Sequence, residues 1–128
     1  MSNIKKFRVG EPHSDSYVVL EVDLDVLTEE LSADINNFVS GNDDRLERED
    51  GDVIRTAIRM FGHYVIRCFL ADGRICQVGP IGQDNIRSTQ AVLDFVGEGW
   101  PDFEALGIVI FEAYVALPDY DELELVEV

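Results

Sequence analysis

Residues 51–73 read GDVIRTAIRMFGHYVIRCFLADG. At about 100° per residue, Val53, Ile54, Ala57, Ile58, Met60, Phe61, Tyr64, Val65, Cys68 and Phe69 fall on one side of a helix. Arg55, Arg59, His63 and Arg67 step along the other side, four residues apart. Asp50 and Asp52 stand where a helix N-terminus favours negative charge. Gly73 follows the last apolar turn and suits a left-handed cap. The pattern predicts a helix of about 20 residues, about 30 Å long, as the main core element.

Strands are expected on both sides of it. Residues 4–9, IKKFRV, alternate weakly, and 10–15 read as a loop. Tyr17 to Asp25 alternates cleanly: Val18, Leu20, Val22 and Leu24 face a core, while Val19, Glu21, Asp23 and Asp25 face water. Paired with 4–9, this strand sets Lys6 and Arg8 against its acids. Thr28 is placed to cap a helix with the stripe Leu31, Ile35, Phe38 and Val39, stopped by Ser40-Gly41-Asn42. Residues 42–50 form a charged, partly helical connector. Arg74 to Gln83 is a loop with a few extended residues at Ile75–Val78. A third helix is capped by Asp84 or Ser88 and buries Ile86, Val92, Leu93, Phe95 and Val96, ending at GEGWP. Gly107 to Leu117 and Glu122 to Val128 read as two further strands around a turn at Pro118. The fold class is α+β: one domain, 1–128, with an antiparallel sheet of about four strands in the order strand-strand-helix-helix-helix-strand-strand, helices on one face.

Charge is the strongest anomaly. The net charge is −16 in 128 residues. Residues 9–44 hold ten acids and 90–128 hold ten more, and neither block has a Lys or Arg. Residues 1–8 hold Lys5, Lys6 and Arg8 with no acid. Such a chain repels the phosphate backbone, so direct nucleic-acid binding is disfavoured, whereas a basic partner is steered toward it. No apolar run reaches the length of a membrane span and no signal peptide stands out, so a cytoplasmic protein is expected. Cys68 and Cys76 are expected reduced, and their spacing is no metal motif. No phosphate-binding glycine motif occurs, and no cofactor or metal is expected.

The segments LEVDLDVLTEELSADINNFVSG, DGDVIRTAIRMFG and GEGWPDFEALGIVIFEAYV resemble a family of short, uncharacterised bacterial proteins, domains of unknown function associated with phages, plasmids and integrated elements. The resemblance covers about Tyr17 to Val128. Its motifs are structural and transfer no catalytic residue. It implies a mobile-element origin, and small acidic proteins of such origin suggest inhibitors of host defence.

Three functional readings follow. In the first, Glu21, Asp23, Asp25, Glu112, Glu122 and Glu124 form an acidic sheet face that imitates nucleic-acid charge. It would bind the basic surface of a protein partner, as in an anti-CRISPR or anti-restriction inhibitor, without catalysis. In the second, Arg55, Arg59, His63 and Arg67 grip an anionic ligand or serve a small enzyme, which calls for a concave pocket beside them. In the third, the chain is a structural subunit and shows a large apolar patch. Trp100 is read as packing at a core edge rather than as an exposed anchor.

Overall fold

In the computed structural model, which describes residues 3–10, 16–72, 77–78, 84–97, 99–115, 121 and 123–127, the alternation after residue 16 becomes strand β2, Tyr17–Asp23. Val18, Leu20 and Val22 are fully buried, and Val19, Glu21 and Asp23 stay at the surface. Strand β1, Ile4–Gly10, pairs antiparallel with it along its whole length, which sets Lys6 opposite Glu21. Strand β4, Ile108–Tyr114, pairs antiparallel on the other side of β2. The result is a three-stranded antiparallel sheet, β1-β2-β4, in an α+β fold. Two extended residues, Gln77–Val78 (β3), lie beside Tyr114 and Ala113 of β4.

Helix α1, Glu29–Phe38, starts at Thr28, whose hydroxyl accepts from Leu31 N at 3.2 Å. The 42–50 connector contains a second helix, α2, Asn42–Arg48, entered through left-handed Gly41. Asp50 and Gly51 both take positive φ, and the chain turns directly into α3, Val53–Asp72. Asp52 caps it, its carboxylate accepting from Arg55 N at 3.1 Å. Ala57, Ile58, Met60, Phe61, Val65 and Phe69 are buried against Val18, Leu20, Val22, Ile108 and Ile110 in one core. The apolar side of α3 is thus the one its sequence predicts. At Gly62 the helix leaves room for the Val9 side chain of β1: a Cβ there would lie 2.7 Å from Val9 Cβ.

Helix α4, Asp84–Val96, packs on β4 and differs from its predicted face. Val92 and Leu93 are buried, but Ile86 and Phe95 are exposed, and Asn85 and Thr89 take the inward positions. The reason lies in β4. Its pairing with β2 slips between Val19 and Leu20, because Leu20 faces Ile110 while Val19 faces Glu112, so Phe111 is an extra residue. Thr89 Oγ1 accepts from Ile110 N at 2.9 Å, and Asn85 Nδ2 donates to Phe111 O at 2.9 Å. Two polar side chains on α4 therefore satisfy buried backbone groups at the irregularity. Thr89→Val keeps the shape and strands the Ile110 N–H. It should cost about 1–3 kcal/mol in urea denaturation, and an unchanged midpoint would show that this bond contributes nothing.

Three further expectations are corrected. Phe38 is exposed rather than part of the α1 core stripe; it lies over Gly99, where a Cβ would run into its ring. A short helix, α5, Phe103–Leu106, precedes β4, capped by Asp102 and closed by left-handed Gly107. Residues 123–127 form no strand, so the expected closing strand and its hairpin with β4 are not made there; Glu122 and Val128 lie outside the described residues. The 11–15 loop, Cys76, most of the 74–83 loop and the Pro118 turn also fall outside them. Among the described residues no helix is long and apolar enough to cross a membrane.

Candidate functional site

The sheet has one face on the helices and one open. Residues Lys6 and Arg8 of β1, Val19, Glu21 and Asp23 of β2, and Glu112 of β4 share the open face by register. It is mixed rather than purely acidic. Glu21 sits across from Lys6. The Lys6 ammonium lies 3.8 Å over the Phe111 ring and the Arg8 guanidinium 5.1 Å over the Tyr17 ring. Glu112 accepts from the Tyr17 hydroxyl at 3.1 Å. That bond holds the Tyr17 phenol above its ordinary value of 10.0, desolvation adding to the effect and Arg8 opposing it. Asp23 Oδ1 accepts from Asp25 N at 3.0 Å, and Asp25 Oδ2 accepts from Asn3 N at 3.1 Å. So Glu21, Asp23 and Glu112 share the open face, with Asp25 in the turn beyond Asp23 and Glu112 toward the opposite end of β2, beside Tyr17. Glu124 is exposed in a segment without strand structure, and Glu122 falls outside the described residues.

A broader acidic surface emerges where the sequence separates its two acid blocks. Asp23 N donates to Gly107 O at 2.8 Å, and Val26 packs against Gly107, beside the start of α1. Phe38, the last residue of α1, packs on Gly99. The segment 99–107 is therefore held at its two ends, by Phe38 at the end of α1 and by Val26 just before its start. Asp25, Glu29, Glu30 and Asp34 of the first block and Asp102 and Glu104 of the second are all exposed there. The signal that joins them is a pair of left-handed glycines, Gly99 and Gly107, which leave room for Phe38 and Val26. Trp100 lies in the same segment and is held inward, its ring 5.6 Å from Phe61 and 5.8 Å from Tyr64.

The basic stripe of α3 borders a concavity. A cleft of about 410 Å3 opens between α2 and α3, with Arg45, Arg48, Glu49, Arg59, His63 and Tyr64 on its walls. Glu49, which no local pattern marks, neutralises part of the stripe: it bonds Arg59 Nη1 at 2.6 Å and lies 3.8 Å from Arg55 Nε. Arg67 stands apart from that wall, 5.9 Å over the Tyr64 ring. His63 is exposed at the rim beside Tyr64, and no carboxylate, hydroxyl or thiol hydrogen-bonds it among the described residues. Nothing in the cleft therefore orients His63 as a base. No group of three or more metal-ligating side chains occurs among the described residues.

Arg45 has a different task, one the spacing of charges does not reveal. Helix α1 ends in an extended Val39 without a left-handed cap. The Arg45 guanidinium takes over the open carbonyls, donating to Asn36 O at 2.9 Å, Val39 O at 2.7 Å and Ser40 O at 2.7 Å. Its Nε also donates to Asn36 Oδ1 at 2.9 Å.

A family model described as a protein of unknown function, DUF2528, matches residues 17–125. No curated protein and no solved structure matches the chain.

Proposed function

The chain belongs to the DUF2528 family, whose description assigns no activity, and we propose that it is a non-enzymatic interaction protein that seats its acidic side on a basic surface of a protein partner. One observation carries this reading. The segment 99–107 meets the chain at both ends of α1, so exposed Asp25, Glu29, Glu30 and Asp34 of one acidic block stand near exposed Asp102 and Glu104 of the other. A solvated surface of one sign attracts and orients a partner of the other sign. Carboxylates spread over rigid elements resemble the charge of a nucleic-acid backbone, so the partner is a protein with a basic nucleic-acid channel. The specific form proposed is an inhibitor of a bacterial nucleic-acid-targeting defence system, of the anti-CRISPR or anti-restriction type, acting in the cytoplasm.

The test uses three exposed acids on both blocks: Glu30→Lys, Asp34→Lys and Glu104→Lys together. The wild-type chain should retain a nucleic-acid-handling protein from bacterial lysate at low salt, release it at high salt, and lose it to competing DNA or RNA. The triple variant should retain at least about tenfold less. Equal retention by the triple variant would sink this surface as the docking site.

The cleft between α2 and α3 supports a second reading, a site for a small anionic ligand. Its specific support is the concavity itself, with exposed Arg48 and His63 on its rim.

A further inference from the structure

Residues 123–127, LELVE, alternate over Leu123, Glu124 and Leu125 and are largely uncovered among the described residues: Leu123 is 62%, Leu125 99% and Val126 63% exposed. Isolated apolar residues at a surface are ordinary, but three in one five-residue segment are a surface seeking cover. Their counterpart is strand β1. It ends the sheet β1-β2-β4, so one edge of Ile4–Gly10 has no strand neighbour among the described residues. An open edge offers backbone donors and acceptors to any compatible segment.

The two are matched in charge and in shape. The edge strand carries Lys5, Lys6 and Arg8 and no acid. Such cations keep two copies of β1 from pairing with each other, and they select an acidic strand. On the helix side of β1, Phe7 and Val9 are only half-buried. A hollow of about 220 Å3 opens beside them, bordered by Ile58, Arg55 and Arg59 of α3 and by Glu49. In an extended 123–127, Leu123, Leu125 and Glu127 share one face and Glu124 the other. A strand paired on this edge lowers Leu123 and Leu125 into the hollow, where Arg55 and Arg59 already pair with Glu49. The same strand sets Glu124 beside Lys6 and Arg8 on the open face.

The geometry points to strand exchange between copies of this chain: residues 123–127 of one copy add to the free edge of β1 in another. A second copy is the occupant because, among the described residues, the edge is unpaired while an acidic apolar segment that complements its charge stands exposed. This surface is separate from the acidic side that α1 presents.

Oligomeric state of the full chain, followed by light scattering over a range of concentrations, tests it. Two variants divide the contact. Leu123→Ser with Leu125→Ser alters the segment, where both residues are exposed and folding does not depend on them. Lys6→Gln with Arg8→Gln alters the edge, with circular dichroism to verify its fold. Wild type should self-associate, and each variant should do so at least about tenfold more weakly. A mixture of the two should recover heterodimers, because one supplies an intact segment and the other an intact edge. A wild type that stays monomeric throughout, self-association that both variants leave unchanged, or a mixture that recovers nothing would overturn the proposal. Monomers whose 123–127 amides are protected from hydrogen exchange would assign the segment to its own sheet and overturn it equally.

Discussion

Phe61→Ala is expected to destabilise the fold by about 3–5 kcal/mol, a large share of the roughly 5–15 kcal/mol of a typical domain. Phe61 is fully buried at the middle of α3. It joins the layer under β2 to the aromatic group formed with Trp100 and Tyr64. Truncation removes the ring from water-free packing on both sides and leaves a cavity that neighbours anchored in helix and sheet cannot collapse to fill. Trp100 is the chain's single tryptophan, so its emission reports this site without interference. Urea denaturation followed by Trp100 should show a lower midpoint, with red-shifted emission already in the folded state. A loss below about 1 kcal/mol would mean that α3 is not the centre of the core.

How legible this was in the sequence depends on the kind of force involved. The long apolar stripe of α3 repeats at the helical period over twenty residues, and its buried set is the one its periodicity indicates. The same holds for β2, whose alternation sorts core from surface. Where a single tertiary contact outweighs the pattern, the reading departs. Ile86 and Phe95 complete an apolar stripe on paper, yet α4 turns Asn85 and Thr89 inward because the β4 irregularity presents Ile110 N and Phe111 O to it. Phe38 leaves its stripe because Gly99 offers its ring a surface. The closing strand is predicted from β-branched and alternating residues alone. Such a strand also needs a free edge, and β-propensity is silent on which edge that is. The candidate site follows the same division. Strand alternation places Glu21 and Asp23 on the open face, whereas Glu112, in step with buried Ile108 and Ile110, reaches it only through the extra residue at Phe111. The meeting of the two acid blocks rests on Gly99 and Gly107, long-range contacts with no local signature.

Arg45 makes the second large prediction, and it separates structure from function in the basic cleft. Its side chain donates to three carbonyls at the end of α1 and to Asn36 Oδ1. The carbonyls are among those that a helix C-terminus leaves open, and Asn36 is itself buried. Arg45→Met keeps much of the aliphatic packing but leaves these acceptors unmatched, which should cost about 2–4 kcal/mol. Arg45→Lys retains the charge yet cannot reach acceptors spread around a planar fork, so it should still lose about 1–2 kcal/mol. Arg48 shares the cleft wall but is exposed and makes no ion pair among the described residues. Arg48→Met should therefore stay within about 0.5 kcal/mol of wild type. Hydrogen exchange should localise the Arg45 effect to the last turn of α1 and the start of α2. If Arg45→Met and Arg48→Met proved equal in stability, the guanidinium would not be holding the two helices together. With the predicted difference, Arg45 has a structural task, and a ligand titration of the cleft is cleaner when read from Arg48 and His63, which carry none.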